Sequence, residues 1–254
     1  MLLIKNKGET VRPTLINEFI LMIKISEIII TFKGLFGVNF KNFFKKFKKF
    51  NAYNNLDKKM LKYLDYQNGF YIDCGANDGV NQSTTWFYEK SKNWKGVLIE
   101  PIPSTFDNLK KNRGKGNIFA NVALVSNAFE KENLEIYFNT KDTLIGSVLN
   151  NKINQESAIV KAITLSKLLE DQKIQKNIDF FSLDVEGYEL EVLEGINFKK
   201  FKFKYILVET SNPQKLHDLF SINGYTFVER LSNFNFKDSP EYGDYLYKNN
   251  DNTI

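Results

Sequence analysis

Among 254 residues the sequence holds one cysteine, Cys74, and one histidine, His217. An internal disulfide is thereby excluded, and so is a zinc centre of Cys and His, which takes about four such ligands. Tryptophan is scarce at two and proline at five, whereas phenylalanine reaches 23. A long apolar run is also missing. The most apolar stretch, Phe19 to Phe32, is broken by Lys24 and Glu27 and falls short of the roughly 20 apolar residues that span a bilayer as a helix. With Glu18, the same charges interrupt the apolar centre that a secretory signal requires, so a reducing cytoplasm is the expected compartment. What is present is ordinary globular composition, 43% hydrophobic and 26% charged, in a chain long enough to bury a core. Disordered, collagen-like and disulfide-scaffold classes are excluded.

The formal net charge of +5 is unevenly spread. Residues 1–60 carry twelve Lys/Arg against four acids, a net of +8, which leaves the remaining 194 residues at −3. The body is therefore no basic nucleic-acid-binding domain. Within the basic segment, Phe36, Phe40, Phe43, Phe44, Phe47 and Phe50 fall on one helical face, with Lys41, Lys45, Lys48 and Lys49 mostly on the other. Such a helix suits peripheral contact of residues 33–50 with an anionic membrane. It also suits docking on a protein core with a solvated basic face, the commoner fate of an amphipathic stretch.

From residue 70 onward, short apolar runs alternate with helix-like segments, the pattern of a parallel α/β sheet. Strands are expected at Phe70–Cys74, Lys95–Glu100, Ile118–Leu124, Ile178–Leu183 and Tyr205–Glu209, with two closing strands at Tyr225–Arg230 and Asp244–Tyr247. Helices are expected at Gln82–Lys90, Pro103–Asn112, 164–170, Tyr188–Leu193 and Pro213–Ile222, and a hairpin-like insertion from Leu134 to near Val148. No internal repeat or Gly/Ser linker appears. The expected organisation is a helical extension over residues 1–67 and one domain over residues 68–254.

Ligands of such sheets bind beyond the carboxyl ends of the strands, so the polar residues there are informative. The first strand runs into Asp73-Cys-Gly-Ala-Asn-Asp-Gly79 and the second into Glu100-Pro101. The glycine turn is G-x-x-x-G and lacks the G-x-G-x-x-G of a pyrophosphate site. Asp73 and Asp78 would also repel phosphate. S-adenosylmethionine fits these features, since it offers a ribose to Glu100, an amino group and a sulfonium to carboxylates, and no phosphate. The fourth strand ends in Asp184-Val-Glu-Gly-Tyr-Glu189 and the fifth in Glu209, gathering acids above the middle of the sheet. Glu189 is expected to do no more than favour a helix N-terminus. Asp184 and Glu209, closing apolar strands, need partners.

The run DCGANDGVNQSTTWFYEKSKNWKGVLIEPIPSTFDNLKKNR from Asp73 to Arg113, with IDFFSLDVEGYELEVLEG from Ile178 and YILVET from Tyr205, resembles the FkbM family of S-adenosylmethionine-dependent methyltransferases over roughly residues 68–250. The resemblance implies a class I methyltransferase (Rossmann-like) sheet with helices on both faces and an antiparallel last strand. It further implies O-methylation, often of a sugar or polyketide-like alcohol. It implies that Asp73, Gly75, Ala76, Asn77, Asp78 and Gly79 form the methionine-binding turn, that Glu100 with Pro101 receives the ribose, and that Asn121 and Ala123 border the adenine. Asp184 and Glu186 match an acidic pair of the family, and Glu209 its fifth-strand acid. Two positions depart from the pattern. Ser166 stands where Asp is frequent, and Thr210-Ser211 follows Glu209 where His is common.

An acceptor alcohol must lose its proton, which calls for a carboxylate base or an acidifying metal. Asp184 is the expected base, with Glu186 and Glu209 orienting the acceptor or helping Asp184 to ligate a hard cation such as Mg²⁺. His217, central in a surface helix, is expected to be inert, and Cys74 to be a packing residue. The acceptor is expected to be a glycan or another small alcohol, with loops Asn139–Ser147 and Asn233–Gly243 shaping its pocket. A nucleic-acid acceptor is disfavoured by the acidic body and the missing N/D-P-P-Y/F motif. The alternative from another class is a non-catalytic scaffold that keeps the fold, tethered to a membrane by its Phe/Lys segment.

Overall fold

The computed structural model describes residues 50–139, 142–147, 156–234 and 236–251. The apolar stretch 19–32, the Phe/Lys segment apart from Phe50, and the end of the expected insertion at Val148 lie outside the described residues. Among the described residues no helix is long and apolar enough to cross a membrane.

A seven-stranded sheet carries the structure. Its strands are β1 (Phe70–Cys74), β2 (Lys95–Ile99), β3 (Ile118–Ala120), β8 (Asn177–Leu183), β9 (Lys202–Thr210), β10 (Tyr225–Arg230) and β11 (Gly243–Asn249). Their order is β10-β11-β9-β8-β1-β2-β3. β3, β2, β1, β8 and β9 pair in parallel, and β11 runs antiparallel to both β9 and β10. The class I methyltransferase sheet with its antiparallel last strand is therefore borne out. Residues of one strand alternate between two apolar layers, as a sheet buried on both faces requires. Ile72, Val97, Phe181 and Ile206 point into one layer, with α4 (Leu165–Asp171), α5 (Glu189–Glu194) and α6 (Pro213–Ile222) packed there through Leu169, Val192, Leu193 and Phe220. Tyr71, Leu98, Phe180 and Leu207 point into the other, against α1 (Leu56–Met60), α2 (Trp86–Lys92) and α3 (Pro103–Asn112).

Local chemistry sets several boundaries. Pro103 and Pro213 each open a helix in its first turn, where the missing N–H costs nothing. The Thr164 hydroxyl caps α4 through the Lys167 N–H at 3.2 Å. The helix expected from Gln82 starts later, at Trp86. Gln82 holds a left-handed φ of 59° and Ser83 Oγ accepts the Trp86 N–H, so these residues lead into the helix from outside.

The stretch Ile118–Leu124 is two strands and not one. β3 pairs with β2, whereas β4 (Ala123–Leu124) pairs with β7 (Glu156–Ile163) in a second sheet ordered β4-β7-β5-β6, with β5 at Asn133–Asn139 and β6 at Asp142–Ser147. The break falls at Asn121, whose amide donates to the carbonyls of Glu100 and Pro101 at 2.8 and 2.9 Å and diverts the chain. The expected insertion is thus part of a mixed sheet in which β5 pairs antiparallel with β6 and β7 while β4 joins β7 in parallel, and strand β7 went unforeseen.

Candidate active site

From β3 the chain passes through the second sheet and returns to the main one at β8, on the far side of β1. The carboxyl ends of β1 and β8 are thus where strand order reverses, the place at which open sheets leave a crevice. A cavity of about 530 Å³ opens there, within the usual range for small-molecule sites.

Gly75 makes the first turn possible. Its φ is +81°, and a Cβ on it would stand 1.7 Å from the carbonyl oxygen of Asp184, so only glycine lets the ends of β1 and β8 approach this closely. Asp73 Oδ2 accepts from Thr85 Oγ1 at 2.5 Å and lies 3.8 Å from the Arg113 guanidinium. Burial raises the Asp73 carboxyl, and Arg113 draws it back. Arg113 itself is buried and fully engaged, donating to Glu89, Gly79 O, Ser83, Tyr71 and Thr85. Burial would raise Glu89 too, but Arg113 with Lys90 outweighs it and holds that carboxyl at about 2. A lone basic residue after Lys110-Lys111 gave no sequence sign of this role.

Glu100 is buried at the end of β2. Its two oxygens accept the main-chain N–H groups of Asn77 and Ile102 at 3.0 and 2.8 Å. Burial pushes the carboxyl up to about 7. Each oxygen retains a lone pair for a ligand hydroxyl. Ile99, Ile102, Val122, Ala123 and Leu124 make the apolar wall beside it.

Asp184, Glu186 and Glu209 bring carboxylate oxygens within 4.8 Å of one another. Asp184 opens onto the cavity while protein surrounds it on its other sides. Its carboxylate lies beside that of Glu209. Burial, then the neighbouring Glu209 charge, raises Asp184 well above the carboxylate range. Glu209 is pushed up to about 7, chiefly by burial. Asp244 stands opposite Glu209 in the antiparallel ladder, and burial lifts it to about 6. Glu209 and Asp244 therefore release their protons at higher pH than ordinary carboxylates do. Glu189 bonds the N–H groups of Val185 and Gly187 at 3.3 and 2.9 Å, which keeps the turn in shape.

The mouth is aromatic. Phe234, Phe236 and Tyr242 line it from the expected loop, together with Tyr53 and Leu56 from the chain before β1 and Tyr137 from β5. Tyr53 and Leu56 were missed by the sequence reading, since nothing local marks them as site residues. Of the residues expected at the site, Asp73, Gly75, Ala76, Asn77, Glu100, Pro101, Ala123, Asp184, Glu186 and Glu209 line the cavity. Asp78, Gly79 and Asn121 do not. Asp78 instead accepts the N–H groups of Val80 and Asn81, Gly79 packs against Leu109 and Arg113, and Asn121 holds the Glu100-Pro101 corner.

Cys74 is buried, with its thiol pushed up by burial, and His217 sits away from the cavity, 2.9 Å from the Tyr247 hydroxyl. The two departures are engaged elsewhere as well. Ser166 Oγ accepts the Asn197 N–H, and Thr210 Oγ1 accepts that of Asn212.

Six carboxylates line the cavity, Asp73, Glu100, Asp184, Glu186, Glu209 and Asp244, and no Lys, Arg or His does among the described residues. That donor set fits a ligand with positive charge and hydroxyl groups, and it is hostile to phosphate.

Residues 73–230 match the family model of the methyltransferase FkbM domain. Methyltransferase 1 of Beauveria bassiana (strain ARSEF 2860) is 27% identical over 149 residues, 51% of this chain and 59% of that protein. Among solved structures, methyltransferase FkbM from Methylobacillus flagellatus KT is similar at 16% identity and a TM-score of 0.45, covering 74% of this chain and 45% of the other. A putative tRNA (m1A22) methyltransferase of Streptococcus pneumoniae, in complex with S-adenosyl-L-methionine, is similar at 12% identity and a TM-score of 0.44, covering 78% and 73%. The chain spans about three fifths of the curated relative's length.

Proposed function

This chain belongs to the FkbM family of S-adenosylmethionine-dependent methyltransferases, and on that premise we propose that it transfers a methyl group to a hydroxyl of a sugar, glycan or related small alcohol. The observation that carries the proposal is the cavity lined by six carboxylates and no cationic side chain among the described residues. When bound, the cofactor supplies a methyl group on a positively charged sulfur.

The chain's own residues divide the work. Glu100, presented by the N–H groups of Asn77 and Ile102, receives the ribose hydroxyls, and the apolar wall around Ala123 receives the adenine. Asp73 and the turn Gly75–Asn77 receive the methionine end, with Asp73 steadied by Thr85 and Arg113. Asp184 accepts the proton of the acceptor hydroxyl. Glu186 and Glu209, with oxygens within 4.8 Å of that of Asp184, orient the acceptor. Holding that oxygen about 3 Å from the methyl carbon, in line with the leaving sulfur, provides much of the acceleration.

A second reading of the same acids has one observation in its favour. Oxygens of Asp184, Glu186 and Glu209 lie within 4.8 Å of one another, a spacing that suits a hard cation such as Mg²⁺. Activity unchanged by EDTA excludes that version.

The proposal is tested by calorimetry with S-adenosylhomocysteine, followed by a labelled-methyl transfer screen over glycans, lipids and nucleotide sugars in a reducing buffer. Binding and transfer to a hydroxyl compound are expected. No binding at millimolar ligand would return the chain to the scaffold class.

A further inference from the structure

Among the described residues five large apolar side chains are exposed, and two of them, Tyr53 at 46% and Phe236 at 52%, stand at the cavity mouth. They belong to an ordered surface. Tyr53 stacks on Phe234 with ring centres 5.3 Å apart and planes 10° apart, and Phe234 stacks on Phe236 at 5.8 Å and 18°. Tyr242 packs against Phe234 and Phe236 at 4.8 and 5.6 Å. Tyr242 lines the cavity together with Glu209 and Asp184, so the aromatic surface runs from solvent to the acidic group.

The strap that carries Tyr53 is held in place. Asn54 and Asn55 both adopt left-handed angles, Asn51 donates to Val80 O at 2.7 Å, and the N–H groups of Asn51 and Ala52 bond Asp57. Asn81 and Gln82 line the same cavity and add amide donors and acceptors at its rim.

Flat aromatic faces attract the weakly positive C–H face of a saturated ring, and carboxylates accept hydrogen bonds from its hydroxyls. A phosphate on the acceptor would instead share the cavity with Asp184, Glu186, Glu209 and Asp244, the acids not assigned to the cofactor, with no lining cation among the described residues. We propose that Tyr53, Phe234 and Phe236 form the acceptor subsite, and that it takes an uncharged sugar ring, free or at a glycan end, in preference to sugar phosphates and nucleoside-diphosphate sugars. This rests on the methyl-transfer reading above and narrows its acceptor class.

The test pairs labelled-methyl transfer with direct binding on the full chain, using an array of neutral oligosaccharides beside the matching sugar phosphates and nucleoside-diphosphate sugars. Transfer is expected to the neutral set. Phe236→Ala is expected to raise the acceptor KM about tenfold with S-adenosylhomocysteine affinity unchanged, and Phe236→Trp to restore the KM. Preference for the phosphorylated set overturns the inference. So does an unchanged KM in Phe236→Ala, or the absence of both binding and methylation of neutral sugars by protein that binds S-adenosylhomocysteine. Failure to bind S-adenosylhomocysteine is the separate result that overturns the methyl-transfer reading itself.

Discussion

The carbonyl oxygen of Asp184 occupies the space beside Gly75 that any side chain there would need, 1.7 Å from the Cβ position. Gly75→Ala must therefore force the ends of β1 and β8 apart and also impose a left-handed φ on alanine. Loss of S-adenosylhomocysteine binding is expected, with a fall in thermal midpoint of several degrees. Calorimetry and a melting curve check this, and wild-type affinity in the variant would contradict the close approach.

Asp184→Asn keeps the shape and removes the base. Transfer is expected to fall by about 10²- to 10⁴-fold, while S-adenosylhomocysteine affinity changes by only a few fold. Retained turnover would reassign the base. Glu209→Gln is expected to move the acid limb of the pH–rate profile to lower pH, because the neighbouring Glu209 charge raises Asp184.

The cavity acids make the unliganded protein sensitive to alkali. Burial lifts Glu100 and Glu209 from 4.5 to about 7, and Asp244 from 3.8 to about 6. Between these limits the folded chain binds more protons than the unfolded chain, so stability falls as pH rises. The thermal midpoint is thus expected to drop by several degrees from pH 5 to pH 8. A cationic ligand favours the ionised acids, so its affinity is expected to increase over the same range, with proton release on binding. Calorimetry in buffers of different ionisation enthalpy measures that release. Affinity independent of pH would mean that these carboxylates do not face the ligand's charge.

Arg113→Met would strand Glu89 and Asp73 without their buried cation. Breaking such a pair from one side costs about 3–5 kcal/mol, and chemical denaturation should show a loss of that order. Arg113→Lys should recover little of it, because one ammonium group cannot reach Glu89, Gly79 O, Ser83, Tyr71 and Thr85 together.

For the basic segment, the membrane proposal for residues 33–50 predicts co-sedimentation with anionic vesicles that is lost on Lys→Glu changes at Lys41, Lys45, Lys48 and Lys49. Failure to bind even at low salt would leave docking on a protein core as the role of that Phe face.

The main strands were legible because strands buried on both faces read as apolar runs, and their ends because a carboxylate closing such a run stands out. The start of α6 followed from Pro213, a proline in the first turn of the helix. The second sheet was less legible. β7 leaves Ile159 exposed at 76%, so its pattern is blurred, and its register with β5 is set by non-local pairing. Arg113, Tyr53 and Asn121 were opaque for a shared physical reason. Each acts through partners distant in sequence, and no local spacing announces them.

Arg113 makes the glycine turn a product of the whole first half of the sheet. Its guanidinium ties β1 through Tyr71, the turn through Gly79, Ser83 and Thr85, and α2 through Glu89. The segment Asp73–Gly79 transplanted into another β–turn–α unit should therefore fail to hold its shape unless the residue closing α3 travels with it. In hydrogen exchange, the turn and the end of α3 should open together as one cooperative unit.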